Sequence, residues 1–190
     1  MGWQVTATDL SEDNLNVARE RAKKGGVDII LADRDLTHLG YTETFDCVVS
    51  CTALYDVPEE SDIRSAIVGM FAALKPGGRC YLRLRDNDHL VAEKPRHEFH
   101  GEVETAHGWA ICIEDWDFDS PHTVIHIYTI LTEDTRHSDC RRWPTETLDC
   151  RIRLLRKAEL ERYLTDAGFT SIEFLPHPNP WAPYEVIATR

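Results

Sequence analysis

Over the first 86 residues short apolar runs alternate with amphipathic ones, and this rhythm limits the fold more than any other feature of the chain. Residues 4–8 form a run that reads as a buried strand closed by Asp9, and Ser11 stands where a helix would be capped. From residue 13 to 24, Leu15, Ala18 and Ala22 keep to one helical face, and Gly25-Gly26 ends it. Residues 27–33 (VDIILAD) and 45–51 (FDCVVSC) read as two further buried strands. Ile63, Ile67, Met70, Phe71 and Leu74 mark an amphipathic helix. Pro76-Gly77-Gly78 then turns the chain into RCYLRLR, a fourth strand. This order predicts a doubly wound, mostly parallel α/β sheet, and the continuous apolar character of the strands suits strands covered on both faces.

After Asp86 the rhythm changes. Residues 86–107 are charged and loop-like. WAICIEDWDF and HTVIHIYTIL read as two antiparallel strands turning at residues 119–121, followed by a polar, irregular stretch over 132–147. Residues 149–155 form another strand, and Leu160, Tyr163, Leu164 and Ala167 mark a helix stopped by Gly168. TSIEFL and YEVIAT complete the chain. With no internal repeat or clean linker, residues 1–190 read as one domain with an inserted antiparallel β element at 87–150.

A net charge of −12 argues against nucleic acid or an anionic membrane as the partner, because both call for clustered Lys and Arg. No apolar stretch approaches the roughly 20 residues of a membrane span, and the start lacks a signal-peptide pattern. Cys47, Cys51, Cys80, Cys112, Cys140 and Cys150 form no C-x-x-C pair, and four of them fall in apolar strand-like runs. A reduced, cytoplasmic protein is expected. His97, Glu98 and His100 lie in what reads as a polar loop, and their spacing matches no metal motif, so no metal site is expected.

Asp9 and Asp33 are the first candidate functional residues. A carboxylate at the carboxyl end of a strand in an open α/β sheet faces the crevice where ligands bind, and it can accept two hydrogen bonds from a ribose diol. It can also simply cap the next helix. If the two strands lie side by side, both acids reach one rim. Asp33 and Arg34 would then meet the edge of a purine, and residues 50–55 would line the same crevice.

These segments resemble, in order, those of class I S-adenosylmethionine-dependent methyltransferases. VTATDLSEDNLNVARERA resembles the second strand, its ribose-binding acid and the helix after it; IILADRDL resembles the adenine-recognising segment. FDCVVSCTALYDVP is similar to the fourth strand and the loop below the methyl donor, and AALKPGGRCYLRLR to the helix, turn and strand that follow. LLRKAELERYLTDAGFTSIEFLP is similar to the last helix and its following strand. By that resemblance the cofactor is S-adenosylmethionine, held by Asp9, Leu10, Asp33, Arg34, Ser50 and Cys51. RLRDNDHLVAEKP and the two strands after it resemble the small-molecule branch near glycine and sarcosine N-methyltransferases, where an inserted β element roofs the substrate pocket. Tyr55, Arg85, Asp86 and Trp116 are the corresponding pocket candidates, Arg85 through its planar fork. Trp116 and Phe118 also fit as core aromatics. The implied reaction is methyl transfer to an amine or hydroxyl of a small polar metabolite.

One family element is not found. The sequence contains no G-x-G, the turn whose backbone amides approach the methionine end of the cofactor after the family's first, central strand. That strand is expected to be missing between residues 4–8 and 45–51. Either the true start lies upstream, or a second chain (a homo-oligomer partner among them) supplies the strand, or the flanking strands pair directly. The rival reading is a degenerate, inactive domain that binds a partner chain. A nicotinamide-dependent oxidoreductase would also place an acid at the second strand, but LKPGGR and LTDAGF speak against it.

Overall fold

A computed structural model of the protein describes residues 2–105, 108–118, 120–134 and 142–190. The elements run β1 (Val5–Asp9), α1 (Glu12–Gly25), β2 (Ile29–Asp33), β3 (Phe45–Cys51), α2 (Glu60–Ala73), β4 (Leu74–Leu84) and α3 (Asn87–Glu93). They continue with β5 (His97–Thr105), β6 (Gly108–Asp117), β7 (Thr123–Thr132), β8 (Thr145–Arg153), α4 (Lys157–Ala167), β9 (Ser171–Leu175) and β10 (Tyr184–Thr189). Three sheets result: β1-β2, β3-β4-β10-β9 and β5-β6-β7-β8.

The parallel pair β1-β2 is joined through α1. Ser11 caps that helix by accepting from the Asn14 amide, Glu12 and Asp13 complement its positive end, and Gly26 closes it at φ 63°, where a Cβ would be strained.

In the second sheet β3 runs parallel to β4, while β10 pairs antiparallel to both β4 and β9. Along β4, Leu74, Cys80, Leu82 and Leu84 turn inward, and from β10 Tyr184, Val186 and Ala188 join them. α2 lays Ile63, Ala66, Ile67 and Met70 on that face, and α4 adds Leu160, Tyr163 and Leu164. This is the larger core.

The expectation of strands buried on both faces is corrected here. Burial along β4 alternates, with Arg79 and Arg83 exposed on the opposite side, and Val49 of β3 is exposed as well. Val5 of β1 and Ile30 of β2 are also exposed. α2 and α4 cover one face of the second sheet only, and α1 packs on β1 and β2 instead. Among the described strands β1 has β2 as its single partner and β3 has β4, so the flanking strands do not close up by pairing directly.

Residues 86–105 are also corrected from loop to structure. Asp86 caps α3 by accepting from the His89 amide, and residues 97–105 pair with β6 as a full strand. The charges in HEFHGEVET hide an alternation of Phe99, Gly101 and Val103, and the strand exists because β6 offers it a ladder. β5 to β8 form an antiparallel meander. β8 begins at Thr145, four residues ahead of the expected start at 149, and Thr132 still belongs to β7. His107, Asp119 and residues 135–141, Cys140 among them, lie outside the described residues. A second, smaller core joins Leu90 of α3 to Trp116, Val124 and Ile152 of this sheet and to Leu154, with Tyr55 packed against it.

Candidate active site

A cleft of about 930 Å³ opens between β1 and β3. Residues 3–10 line one side, Phe45 and residues 47–51 the other, and Met70 and Ala73 of α2 reach it as well. The unpaired edges of β1 and β3 therefore face one hollow. Asp9 and Asp33 are direct partners in the β1–β2 register, so both strands end at the same rim in a carboxylate. Asp9 lines the cleft; Asp33 is not among the lining residues, but its neighbours Arg34 and Asp35 are.

Asp9 is also tied to the entry of α1. Its Oδ1 accepts from the Ser11 amide at 2.8 Å, and Asn14 Nδ2 stands 3.4 and 3.3 Å from its two oxygens. The capping alternative is thus realised together with a place on the cleft wall. Arg34 donates from Nη1 to the Leu39 carbonyl at 3.0 Å and lies 4.7 Å over the Tyr41 ring, which fixes it at the rim. Leu10 and Cys51 line the cleft and are exposed, whereas Ser50 is buried with an Oγ that has no partner among the described residues. Cys47 also opens to this hollow, unlike Cys80, whose burial pushes its thiol up to about 12.

A second constellation lies beyond the loop after β3. Arg85, just past β4, stands between two rings, 4.9 Å over Tyr55 and 4.5 Å over Trp116. Its Nη2 is 3.9 Å from Glu114 Oε2, and its Nη1 is buried without a partner among the described residues. Tyr55, Arg85 and Trp116 are thus brought together, and Trp116 is a buried core aromatic at the same time. Asp86 stands apart from them: besides capping α3 it accepts from Lys157 Nζ at 2.6 Å.

Sequence reasoning missed Glu114 and His126. Period-two alternation puts Glu114 and Trp116 on one face of β6, and the β6–β7 register sets Trp116 opposite His126 and Glu114 opposite Tyr128. Glu114 is 2% exposed and His126 fully buried. The His126 ring stacks on Trp116 at 3.8 Å, and its Nε2 lies 3.0 Å from Glu114 Oε2. His100, read as a loop histidine, sits at the bulge of β5 and contacts the other Glu114 oxygen through Nδ1. The signal was present in WAICIEDWDF, where a charged residue two before a tryptophan shares its inward face. Burial pushes the Glu114 carboxyl up, but His126, Arg85 and His100 outweigh it and hold it below its ordinary value. A small cavity of about 150 Å³ borders Arg85, Glu114, Trp116 and Trp181. Among the described residues no cluster of three or more His, Cys, Asp or Glu is placed to hold a metal ion, and no helix is long and apolar enough to cross a membrane.

The Asp86–Lys157 pair has a consequence for acid stability. Burial raises the Asp86 carboxyl, yet the hydrogen bonds from Lys157 and the His89 amide bring it below its ordinary value. A depressed folded value stabilises the native state above the unfolded value and is lost as pH falls through the folded one. Urea unfolding followed downward from about pH 5 should therefore show a shallower loss of stability in Asp86→Asn than in the parent chain. Equal slopes would show that the ion pair contributes nothing.

Comparison with known proteins agrees with this architecture. Residues 1–78 match the family model described as a methyltransferase domain. A protein of Geobacillus sp. (strain WCH70) named as a methyltransferase is 27% identical over 193 residues, covering 97% of this chain and 72% of the relative. Among solved structures, the S-adenosylmethionine-bound CalS10, an amino pentose methyltransferase of Micromonospora echinaspora, superposes with a TM-score of 0.75 at 17% identity, over 98% of this chain and 74% of that one. The glycopeptide N-methyltransferase MtfA, complexed with S-adenosylhomocysteine, gives 0.63 at 22% identity, over 98% and 72%. The fold is the Rossmann-like α/β fold of methyltransferases. Residues 1–78 thus carry a likeness to a methyltransferase domain, and the chain as a whole shares the fold of S-adenosylmethionine-dependent methyltransferases.

Proposed function

We propose that the chain transfers a methyl group from S-adenosylmethionine to an amine, in preference to a hydroxyl, of a small polar metabolite. The observation that carries this reading is Asp9, in register with Asp33 at the tips of β1 and β2, on the wall of the cleft between β1 and β3 that Arg34 also lines. Asp9 would take the ribose diol, Arg34 with Asp33 the adenine edge, and Leu10, Ser50 and Cys51 the walls around the methyl donor. Tyr55, Arg85 and Trp116 would face the acceptor, with Asp86 as a support behind them. The meander within residues 87–150 would act as the substrate-side roof, as in the branch near glycine and sarcosine N-methyltransferases. The name of one matched structure, a glycopeptide N-methyltransferase, favours nitrogen as the acceptor atom.

The reaction is a direct displacement. The acceptor nitrogen attacks the methyl carbon opposite sulfur, and the S–C pair stays on sulfur. Holding the two reactants in line contributes up to about 7–11 kcal/mol in well-oriented cases.

A second reading, a domain that binds a partner chain and does no chemistry, is favoured by one feature. The free edges of β1 and β3 flank a hollow into which Trp3, Val5 and Val49 are exposed, and an added strand, from a second copy or another chain, would complete the sheet there. Calorimetric titration of the purified chain with S-adenosylmethionine and S-adenosylhomocysteine separates the two. Saturable binding of both is expected. Absence of binding together with a stable oligomer in solution would favour the second reading.

A further inference from the structure

We propose that the small cavity beside Arg85 is a sugar subsite: it takes one neutral, polyhydroxylated pentose or hexose ring, the body of the acceptor away from the reacting nitrogen. The proposal rests on the acceptor-side reading of Tyr55, Arg85 and Trp116 given above.

The cavity is assembled from distant parts of the chain. An unbroken strand turns only alternate side chains to one face. The bulge in β5 between Phe99 and Gly101 breaks that rule, and Glu98, Phe99 and His100 in succession all border the space. β6 contributes Glu114 and Trp116, and the loop between β9 and β10 contributes Trp181. That loop carries Pro176, Pro178, Pro180 and Pro183, each with its φ fixed by the ring, and the Trp181 amide donates to Asn179 Oδ1 at 3.0 Å. The Trp181 ring also meets the His89 ring edge to face, with 4.4 Å between centres. Trp181 is 43% exposed and Phe99 59%, so packing into a core explains neither ring.

The polar groups select against ions. Arg85 already faces the Glu114 carboxylate at 3.9 Å, and Glu114 also holds His126 at 3.0 Å and touches His100. An entering anion would meet the carboxylates of Glu98 and Glu114, and an entering cation would meet Arg85. Burying either beside a like charge is costly. Arg85 and the His126 ring already lie over the Trp116 ring, which leaves its N–H as the group it can offer a ligand.

What the site lacks is acceptors. Arg85 Nη1 and Trp116 Nε1 are both donors, and both are buried with no partner among the described residues, a state that costs free energy until a ligand relieves it. Hydroxyl oxygens accept from such donors while their hydrogens donate to Glu98 or Glu114; a carbonyl only accepts. The rings of Phe99 and Trp181 supply the flat apolar wall that the C–H face of a sugar needs. At about 150 Å³ the cavity has room for about five waters, the scale of one such ring and too little for two.

The test titrates the intact, nitrogen-15-labelled chain with methyl xyloside and methyl glucoside, and in parallel with acetate, glycine and methylamine as charged comparators. The indole N–H signals of Trp116 and Trp181 should shift saturably with a glycoside, while those of Trp3, Trp109 and Trp143 stay in place. The charged comparators should move none of them at the same concentration. Trp181→Ala should weaken glycoside binding about tenfold, and Trp181→Phe, which keeps a ring, much less. Trp181 is exposed, so neither substitution opens the core. Absence of a saturable shift, or an equal shift with a charged comparator, overturns the proposal. Release of S-adenosylhomocysteine from S-adenosylmethionine separates this outcome from failure of the amine reading. A parent that binds glycoside but methylates neither glucosamine nor methylamine counts against the amine reading and leaves the subsite standing. One that methylates methylamine as efficiently as glucosamine keeps the amine reading and overturns the subsite.

Discussion

Asp9→Ala should weaken S-adenosylmethionine binding by about 100-fold or more, from two charge-assisted hydrogen bonds to the ribose at roughly 1.5–3 kcal/mol each and 1.4 kcal/mol per decade. Asp9→Asn, which keeps an acceptor oxygen and loses the charge, should fall between the two. The complication is that Asp9 also holds the Ser11 amide and Asn14 at the start of α1. Losing that fastening costs about 1 kcal/mol of helix stability. The two effects separate in measurement: calorimetry reads the affinity, and the ligand-free melting midpoint reads the helix. A variant that melts a few degrees lower and binds as tightly as the parent would leave Asp9 with the capping role alone.

The largest expected loss of stability is for Leu82→Ala, at about 2–5 kcal/mol. Leu82 is fully buried at the middle of β4, opposite Ser50 on β3 and Val186 on β10. Both neighbouring strands and α2 define its cavity, so the hole has little room to collapse. Urea titration should show a lower midpoint at an unchanged slope. Because Ser50 lines the cleft beside that position, the variant should also bind cofactor less tightly at temperatures near its lowered midpoint. A change below 1 kcal/mol would mean that the sheet is held chiefly by elements other than the layer under α2 and α4.

Much of the chain was legible before any coordinates. The strands at 45–51, 171–175 and 184–189 and the helix ended by Gly26 stand where their patterns put them, because each rests on local period and local capping. The pairing of Asp9 with Asp33 was an inference from topology, and the register bears it out. β5 escaped notice because it is charged and its apolar residues Phe99 and Val103 stay exposed, and such a strand takes its stability from its neighbour rather than from its own residues. Glu114 and His126 escaped for a related reason. They are 12 residues apart along the chain and meet only because β6 and β7 fold back in one particular register. Arg85 came to light through the resemblance carried by RLRDNDHLVAEKP; the two rings that hold it, Tyr55 and Trp116, come from the turn after β3 and from β6 and are joined in space alone.

By itself the sequence determined the order of elements from β1 to β4, the acids at the tips of β1 and β2 and the lack of a G-x-G motif, since these follow from side-chain periodicity and composition within short windows. Tertiary structure decided which edges go unpaired, which face of the second sheet is left open and which buried charges share a site. Those outcomes depend on hydrogen-bond partners and packing layers contributed from distant parts of the chain, and no short window contains them.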